Sequence, residues 1–474
     1  MSDNSTLLMT YSLCNICFQK IVGKIIRIGM DVYLEKTCPQ HGRSSVIIWR
    51  GEPELWAIWE RFNDWEPERF DEYYFKMTSK RGCPFDCGLC PEHLRKPCFI
   101  VMEVTNKCNL DCPVCFADAN MKSYTYKPSI EILDEMYKHI LKYEIGDNSQ
   151  SIHLDVNSLI GCCRNNTSLP VIKLSGGEPT IRDDLPDIIY LGKKKGFNIV
   201  LDTNGVRIAK DTKYLERLKD SGLDLIYLQF DGVSDNVYYK LRKANLFKIK
   251  VKVLENCLKI GLPVILVPTI VDKVNLDQVG EIIFFASKYS RVVKGVMFQP
   301  ISYFGRYPED IVGSRVTIPD MLHAIEQQTG GSIKISNFIP IRAGVGCEAH
   351  CGFSSLVVVK DSKLVPVTSL PKNIDKYLET RTTISRETRT PKHSREVMRK
   401  YWFSTNAEDS HDNYLWISGM HFQDVWNIDI RRLRKCCIHE ITPSGHLIPF
   451  CIFNLTNLKG ETLYRDKFLN LFKV

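Results

Sequence analysis

Three cysteines stand close together in the segment VTNKCNLDCPVCF, at Cys108, Cys112 and Cys115. Three thiolates at this spacing can bind three irons of a [4Fe–4S] cluster and leave the fourth iron open. An open iron can chelate the amino and carboxylate groups of S-adenosylmethionine (SAM), so that an electron from the cluster cleaves the S–C5′ bond. The alternatives are a structural zinc ion or a fully ligated cluster. The loop lies between a predicted strand and a predicted helix, and this context favours the open cluster.

A glycine-rich segment, LSGGEPT, follows the next predicted strand. Gly176 and Gly177 allow the backbone to approach a ligand closely, and Glu178 offers a carboxylate to the cationic amino group of SAM. Taken alone, the segment is also typical of a turn, but after the cysteine loop it indicates a SAM site. Polar residues at the ends of later strands are further candidates for contact with SAM: Thr203, Asn204, Gln229 and Asp231. Thr269 and Gln299 are candidates for contact with SAM or substrate, and each of the six could instead cap a loop.

A second CxxxCxxC pattern comprises Cys83, Cys87 and Cys90, and Cys98 follows eight residues after the last of them. No strand–helix unit leading to a GGEP segment comes after it, so we do not assign SAM to this set. Four thiolates here predict an auxiliary cluster suited to electron transfer. The alternative is a zinc knuckle.

A third set of cysteines is divided between two segments of the C-terminal part. Cys347 and Cys351 form one pair, and Cys437 and Cys451 flank the sequence IHEITPSGHLIPF. The Pro-Ser-Gly turn in this sequence predicts a hairpin that brings Cys437 and Cys451 together. Four thiolates again fit a [4Fe–4S] cluster. Cys436 could replace Cys437 as a ligand.

The N-terminal segment contains a further set of metal-ligand residues. Cys14 and Cys17 precede a hairpin-like stretch, and Cys38 follows it three residues before His41. Two ligand pairs joined by a hairpin predict a site for a single metal ion, either iron or zinc. The fourth ligand is either His41 or Cys98.

Alternating apolar runs and helical patterns occupy residues 101–305. Stretches such as EILDEMYKHILKY predict helices between the apolar runs, and strands that alternate with helices predict a parallel sheet. Six such units predict an α/β fold, a partial (β/α)6 barrel whose chemistry lies at the C-terminal ends of its strands. The predicted strands are FIVMEV, VIKL, NIVLDT, LIYLQF, VILVPTIV and GVMFQP.

The cysteine sets divide the rest of the chain around this core. We predict a metal-binding unit at 1–77, an auxiliary cluster segment at 78–100, the core at 101–305 and a C-terminal auxiliary cluster domain at 306–474. A tryptophan-rich segment around 49–65 is expected to pack the first unit against the core. Residues 146–170 are interpreted as an insertion, and 381–399 as a charged loop.

Composition restricts the class of protein. The formal charge of +8 indicates a mildly basic surface, and the longest apolar runs are far shorter than the ~20 residues that span a bilayer. No basic segment followed by an apolar one opens the chain, so we expect no signal peptide. We therefore expect a cytosolic enzyme whose 18 cysteines are reduced and, where clustered, bind metal. Cys162, Cys163 and Cys257 have no partners at metal-binding spacing and are expected to be buried or incidental thiols.

The cysteine loop, the GGEP segment and the six strand–helix units together resemble the radical SAM superfamily over about residues 100–305. The order of six segments also resembles the archaeal tetraether lipid synthase family over nearly the full chain. Those segments are KTCPQHG, GCPFDCGLCPEH, EVTNKCNLDCPVCFADA, KLSGGEPT, LQFDGV and CIHEITPSGHLIPFCIFN.

This resemblance implies SAM, about three [4Fe–4S] clusters, one mononuclear iron and the coupling of unactivated sp3 carbons of two isoprenoid lipid tails. It implies a reduced ferredoxin or flavodoxin-type electron donor. Peripheral contact with a membrane is expected, and a nucleic-acid partner is not. The alternative function is radical SAM methylation of a pterin in methanopterin biosynthesis, to which closely similar proteins are assigned. A protein that only carries or matures clusters would not need GGEP beside an open triad.

Overall fold

The computed structural model describes residues 5–63, 79–120, 124–144, 169–341, 348–368 and 413–469. Most of the predicted insertion at 146–170, including Cys162 and Cys163, lies outside the described residues. The charged stretch 381–399 also lies outside them, as does Cys347, one of the predicted ligands of the third cysteine set.

A four-stranded antiparallel sheet begins the chain, with its strands in sequence order. The strands are β1 (Ser5–Leu13), β2 (Lys20–Ile28), β3 (Asp31–Cys38) and β4 (Gly42–Trp49). Burial alternates along β2 and β3, as expected for strands with one face on a core. Gly29 turns the chain between β2 and β3 at φ 62°, a left-handed conformation that glycine adopts without steric cost.

Tryptophans attach this sheet to the rest of the molecule, as the sequence predicts. Helix α1 (Pro53–Arg61) follows β4 and buries Trp56 and Trp59, while Trp49 is buried at the end of β4. The indole N–H of Trp59 donates to the Gly352 carbonyl (3.4 Å), and the Trp56 ring lies 5.1 Å from that of His350. These contacts join residues about 290 positions apart in sequence.

Six parallel strands form the centre of the molecule and confirm all six strand predictions. These strands, with the short β10 that pairs with the last of them, are β5 (Phe99–Thr105), β6 (Val171–Gly176), β7 (Asn198–Thr203), β8 (Leu225–Gln229), β9 (Val264–Val267), β10 (Thr269–Ile270) and β11 (Val293–Pro300). The helices of this region are α2 (Ile130–Glu144), α3 (Leu185–Lys194), α4 (Val206–Lys210), α5 (Thr212–Asp220), α6 (Asp235–Arg242), α7 (Phe247–Ile260) and α8 (Val279–Lys288).

Alternate residues of these strands contribute to different apolar clusters. In β5, Ile100, Met102 and Val104 join the large cluster that includes helix residues such as Leu133. Phe99 and its neighbours on the other face belong to clusters inside the barrel. Successive side chains of a strand point to opposite faces, so this separation identifies the barrel interior.

The C-terminal part extends the sheet at both edges, which the irregular sequence after residue 305 does not predict. One edge gains β12 (Ile339–Pro340), β13 (Gly352–Lys360), β14 (Lys363–Pro366) and β15 (Tyr414–Met420), and the other gains β16 (Ile438–Ile441) and β17 (Leu447–Pro449). β15 runs parallel to β11, and β16 runs parallel to β5. The helices here are α9 (Ile318–Gln328), α10 (Ile430–Arg434), α11 (Phe450–Phe453) and α12 (Arg465–Leu469).

The architecture is therefore a mixed α/β domain with a mostly parallel sheet, preceded by a small cysteine-bearing sheet, and it confirms the predicted fold class. None of the helices in the described ranges combines the length and apolar composition that crossing a bilayer requires.

Candidate active site

A cavity of ≈ 260 Å³ opens at the C-terminal ends of the parallel strands. Cys108, Cys112 and Cys115 line one side of it. The same wall includes most of the predicted SAM contacts, namely Gly176, Gly177, Glu178, Thr203, Asn204 and Gln229, and also Thr269 and Gln299. The structure thus brings together residues that the sequence separates by almost 200 positions. Asp231 is the exception, because it is fully buried and is not part of the cavity wall.

Two side chains that sequence reasoning missed hold the cysteine loop in shape. The Asn120 side chain accepts from the Cys108 N–H (2.9 Å) and donates to the carbonyl of the same residue (3.1 Å). Arg306 comes from the segment after β11, and its Nε donates to the Cys112 carbonyl (2.9 Å). The backbones of Arg306 and Cys115 exchange two hydrogen bonds of 2.9 and 3.0 Å. The loop is therefore fixed at both ends without using any thiol.

The glycine segment lies directly against the start of the cysteine loop. The Gly177 N–H donates to the Thr105 carbonyl (2.7 Å), and the Glu178 N–H donates to the Lys107 carbonyl (2.9 Å). Gly176 has φ +126°, and a Cβ there would lie 2.1 Å from the Thr105 carbonyl oxygen. Only glycine fits this close approach, which explains the residue type in physical terms.

Glu178 ties the second and third strand–helix loops together. Its carboxylate accepts from the N–H (3.1 Å) and hydroxyl (2.5 Å) of Thr180, from the Thr203 hydroxyl (2.7 Å) and from the Asn204 N–H (2.7 Å). Burial raises the pKa of Glu178, although these donors oppose the rise. The carboxylate thus shapes the cavity wall, and its predicted contact with the amino group of SAM stays a prediction.

The N-terminal sheet brings four predicted metal ligands together. The ligand atoms of Cys14, Cys17, Cys38 and His41 all lie within 4.8 Å of one another. His41 Nδ1 is 3.5 Å from the sulfurs of both Cys14 and Cys38. Three sulfurs and one imidazole at these distances suit a tetrahedral zinc site. The geometry therefore places His41, and not Cys98, beside the three cysteines.

Comparison with known families identifies the chain. Residues 102–286 match the model of the radical SAM superfamily, and residues 6–50 match the model described as the HMPTM N-terminal zinc ribbon domain. The chain is 35% identical to the 7,8-dihydro-6-hydroxymethylpterin dimethyltransferase of Methanocaldococcus jannaschii, over 98% of this chain and 95% of that protein. The chain belongs to this dimethyltransferase family of the radical SAM superfamily. Its cofactors accordingly include SAM and a [4Fe–4S] cluster, and the ribbon match indicates zinc.

Other relatives match less than half of the chain. The probable GTP 3′,8-cyclase of Methanococcus aeolicus is 28% identical over 44% of this chain and 62% of its own length. The Fe-coproporphyrin III synthase of Methanosarcina barkeri is 28% identical over 42% of this chain and 48% of its own length. The similarity to the dimethyltransferase, over 98% of this chain, therefore also covers the parts outside the core.

The three thiols of this radical SAM protein suit a cluster in which one iron is open. All three are half-buried at the cavity, and burial raises the pKa of Cys108 to about 12. Burial also raises the pKa of Cys112. The charge of Arg242 lowers this pKa, and the neighbouring Cys115 raises it. Burial thus disfavours the thiolate forms of Cys108 and Cys112, and coordination to iron would supply the positive charge that stabilises them.

An internal ion pair supports the same loop from below. Arg242 donates to Asp231 through Nε and Nη2, each at 2.8 Å, and through Nη1 to the Val114 carbonyl (2.8 Å). Asp231 thus holds the arginine that supports the loop between Cys112 and Cys115. Its carboxylate also accepts from Gln229 and from the Thr269 N–H, and since these residues line the cavity, Asp231 lies directly behind the wall. Its predicted contact with SAM stays a prediction.

The second cysteine set is buried near the C-terminal segment. Burial raises the pKa of Cys83 to about 12, and burial together with Cys83 and Cys90 raises that of Cys87. Cys98 immediately precedes β5, and its N–H donates to the Cys437 carbonyl (2.7 Å). Its side chain packs in the apolar cluster of Cys437, whereas Cys83 and Cys87 belong to another cluster. The assignment of Cys98 to the second set stays a prediction.

The third set converges around the predicted hairpin. β16 and β17 pair antiparallel, with Ile441 opposite Leu447, and Cys451 lies in α11 immediately after. Burial raises the pKa of Cys436, and the thiols of Cys451, Cys437 and Cys351 raise it further. Cys436 therefore lies within electrostatic range of the other three thiols, and both Cys436 and Cys437 stay candidates for the third set. Cys257 is buried in α7, as expected for a thiol without a metal.

Gly176→Ala is expected to lower the rate of SAM cleavage by about 100-fold. The added Cβ would force the glycine segment away from Thr105 by a substantial part of an ångström. Gly313→Ala is the matched control, since Gly313 also has positive φ (+96°) but no atom lies within 4 Å of the position that a Cβ would take there. The measurement is 5′-deoxyadenosine formation under reducing, anaerobic conditions. Equal rates in the two variants would contradict the role of the close approach.

His41→Ala is expected to remove most of the zinc bound by the N-terminal sheet, because the remaining three sulfurs lose their fourth partner. Zinc is measured by plasma mass spectrometry on protein purified with the metal. His323→Ala serves as the control, since His323 is an exposed histidine paired with Glu52. Full zinc retention in His41→Ala would exclude His41 as a ligand.

Proposed function

We propose that this chain is a radical SAM methyltransferase that acts on a reduced pterin, 7,8-dihydro-6-hydroxymethylpterin. The observation that carries the proposal is the 35% identity, over nearly the full length of both proteins, with a dimethyltransferase named for that substrate. The relatives do not support the coupling of isoprenoid lipid tails expected from the first resemblance. They favour the pterin methylation that the sequence left open as the alternative.

The cavity wall is mostly apolar and includes a few polar groups, a composition that suits a flat heteroaromatic substrate. Lys173 and Asp202 form an ion pair in its wall at 3.3 Å, and Gln229 and Gln299 line it as well. A hydrocarbon tail packed against these groups would remove water from them without replacing its hydrogen bonds, which is unfavourable. A pteridine presents donors and acceptors along its edges, and the apolar side chains of the wall, such as Met297 and Met420, suit its flat faces.

The residues around the cluster site perform the positioning. When bound, the cluster and SAM supply a 5′-deoxyadenosyl radical that can remove a hydrogen atom from a carbon with no acidic proton. Arg306 and Asn120 fix the cysteine loop, and Gly176 and Gly177 shape the wall beside it. Phe304, Phe422 and Phe450 line the cavity and form an aromatic group that limits access of water.

We also propose that the second and third cysteine sets hold two further [4Fe–4S] clusters, for a total of about three. The convergence of Cys351, Cys436, Cys437 and Cys451 supports the third set. A reduced ferredoxin or flavodoxin is the proposed source of electrons. Iron and sulfide assays with Mössbauer spectra test the number, and saturation at a single cluster would contradict it.

The proposed activity is tested by expressing the chain in a bacterial host, with the Cys112→Ala variant as the matched inactive control. Extracted pterins are analysed by mass spectrometry after oxidation. We expect singly and doubly methylated 6-hydroxymethylpterin only in cells with the unmodified chain. If pterins remain unmethylated while the purified protein cleaves SAM, the proposed substrate is wrong.

A further inference from the structure

The barrel interior contains charged side chains below the glycine segment (174–180). Lys173 of β6, Asp202 of β7 and Tyr227 of β8 lie on three neighbouring strands, and all three line the cavity. Lys173 precedes Ser175 by two residues, so it lies ~6.6 Å lower along the strand than Ser175. Asp202 immediately precedes Thr203, which binds Glu178. These three residues therefore form a polar floor to the cavity, one layer of side chains below the glycine segment.

The members of this floor are held against one another. Lys173 Nζ is 3.3 Å from Asp202 Oδ1 and 3.7 Å from the centroid of the Tyr227 ring. The Ser175 hydroxyl also bonds to Asp202. The Asp202 side chain is 32% exposed and that of Lys173 is 15% exposed. Because both line the cavity, part of each group is available to a ligand.

An ion pair is unusual at this position. Interior layers of (β/α) barrels are generally filled by branched apolar residues, and β5 and β9 supply such residues here with Val101 and Val267. Removing two charges from water is costly, and a pair of this kind is weak evidence for a role in stability. A ligand that bonds to both members accounts for its presence.

A second acid, Glu440, interacts electrostatically with the same ion pair. Glu440 of β16 faces both Lys173 and Asp202, and Glu103 lies beside it. Burial raises the pKa of Glu440 well above its ordinary value, and the charge of Glu103 raises it further. Burial thus disfavours the charged form of Glu440, while Arg465 pairs with Glu103. Asp202 is the carboxyl group paired with Lys173 (3.3 Å); burial raises the pKa of Asp202, and the charge of Lys173 lowers it.

We propose that Asp202 and Lys173 recognise the pyrimidine edge of the substrate pterin, an inference that rests on the proposed function. The N3–H and the 2-amino group of a pterin are two parallel donors, which one carboxylate accepts in a bidentate manner. The adjacent 4-oxo group is an acceptor, which an ammonium group satisfies. The two side chains present these complementary groups side by side, as the neighbouring positions of the ring edge require.

This placement also sets the orientation of the substrate. The pyrimidine edge and the carbon that carries the hydroxymethyl group lie at opposite ends of the fused ring. When the pyrimidine edge binds Asp202 and Lys173, the end that carries the hydroxymethyl group points along the barrel toward the wall formed by Cys108, Cys112 and Cys115. The carbons to be methylated then face the site where SAM binds.

Asp202→Asn tests the pairing through a change in specificity. An amide offers one donor and one acceptor, so it matches a 2-oxo group beside N3–H better than it matches the two donors of a pterin. The probes are 7,8-dihydro-6-hydroxymethylpterin and its 2,4-dioxo analogue, the corresponding lumazine. We expect the ratio of the two affinities to fall by roughly 10- to 100-fold in favour of the lumazine. Affinities are measured by anaerobic titration of the reconstituted protein.

Two further variants separate recognition from a structural role. Lys173→Met should weaken both probes by a similar factor, because both carry the 4-oxo group. Asp224→Asn is the matched control: Asp224 also pairs with a lysine, Lys193 (2.8 Å), but at the opposite end of the strands. It should leave the affinity ratio unchanged.

The outcomes distinguish this inference from the proposed function. An unchanged ratio in a folded Asp202→Asn protein would overturn the role of Asp202 even if the unmodified chain methylates the pterin. A shifted ratio without pterin methylation would support the binding site and contradict the proposed reaction. If the unmodified chain bound neither probe, both proposals would be wrong.

Discussion

Cys112→Ala is expected to abolish the formation of 5′-deoxyadenosine from SAM. The open iron requires all three thiolates of the 108–115 loop, and no other described thiol lines the cavity to replace the lost ligand. The iron content should fall by about one cluster, while iron bound by the other cysteine sets remains. Both quantities are measured on protein reconstituted without oxygen.

Cys257→Ala controls for the loss of a thiol as such. Cys257 is buried in α7, belongs to the main apolar core and does not line the cavity, so the variant should retain SAM cleavage and the full iron content. SAM cleavage by Cys112→Ala at the rate of the unmodified protein would transfer the SAM site to the second CxxxCxxC set at Cys83, Cys87 and Cys90.

Asp231→Ala is expected to destabilise the protein by ~3–5 kcal/mol, because it leaves a buried arginine without its counter-charge. Asp231 is fully buried, and the Arg242 side chain is 9% exposed. The lost free energy is measured by denaturant unfolding of the metal-free chain. Since Arg242 also bonds to the Val114 carbonyl (2.8 Å), reconstitution of the cluster should weaken as well.

Asp183→Ala provides the comparison for this loss. Asp183 pairs with Arg207 at 2.6 Å, but its side chain is 88% exposed, and exposed ion pairs contribute little to stability. The double variant Asp231→Ala with Arg242→Met should lose less than Asp231→Ala alone, since it removes the stranded charge. A double variant that is less stable than the single one would contradict this explanation.

The core is predictable because its signals are local. Each strand from β5 to β11 is a short apolar run between loops, and the cysteine and glycine segments come directly after β5 and β6. The C-terminal strands are not predictable for the opposite reason. β15 and β16 reach the sheet edges only by pairing with β11 and β5, and no local pattern encodes such distant pairings.

The residues that support the site escape prediction for a similar reason. Arg306 bonds to Cys112 from 194 positions away, and Arg242 bonds to Val114 from 128 positions away. A single arginine after a strand, such as Arg306, or at the end of a helix, such as Arg242, carries no sequence signal that distinguishes it from a surface residue. Asp231 is recognisable as a candidate, because it follows the end of a strand, but its role depends on which way the chain turns afterwards.

The substrate is the least predictable feature. The cysteine loop and the glycine segment specify SAM chemistry, and they leave open which molecule is the substrate. The side chains that we propose to face the substrate, Lys173 and Asp202, lie within apolar strand segments where a sequence pattern shows only burial. The sequence-based prediction of a lipid substrate therefore rests on the order of motifs alone. The similarity to the dimethyltransferase favours a pterin instead.

The origin of the hydrogen atom removed during the reaction tests the central claim most directly. The reconstituted protein is incubated with SAM, a reductant and 7,8-dihydro-6-hydroxymethylpterin that carries deuterium on its carbons. A parallel sample contains an isoprenoid ether lipid with deuterated tails. We predict that deuterium enters 5′-deoxyadenosine from the pterin, that none enters from the lipid, and that Cys112→Ala transfers none. Transfer from the lipid tails and not from the pterin would contradict a pterin as the substrate.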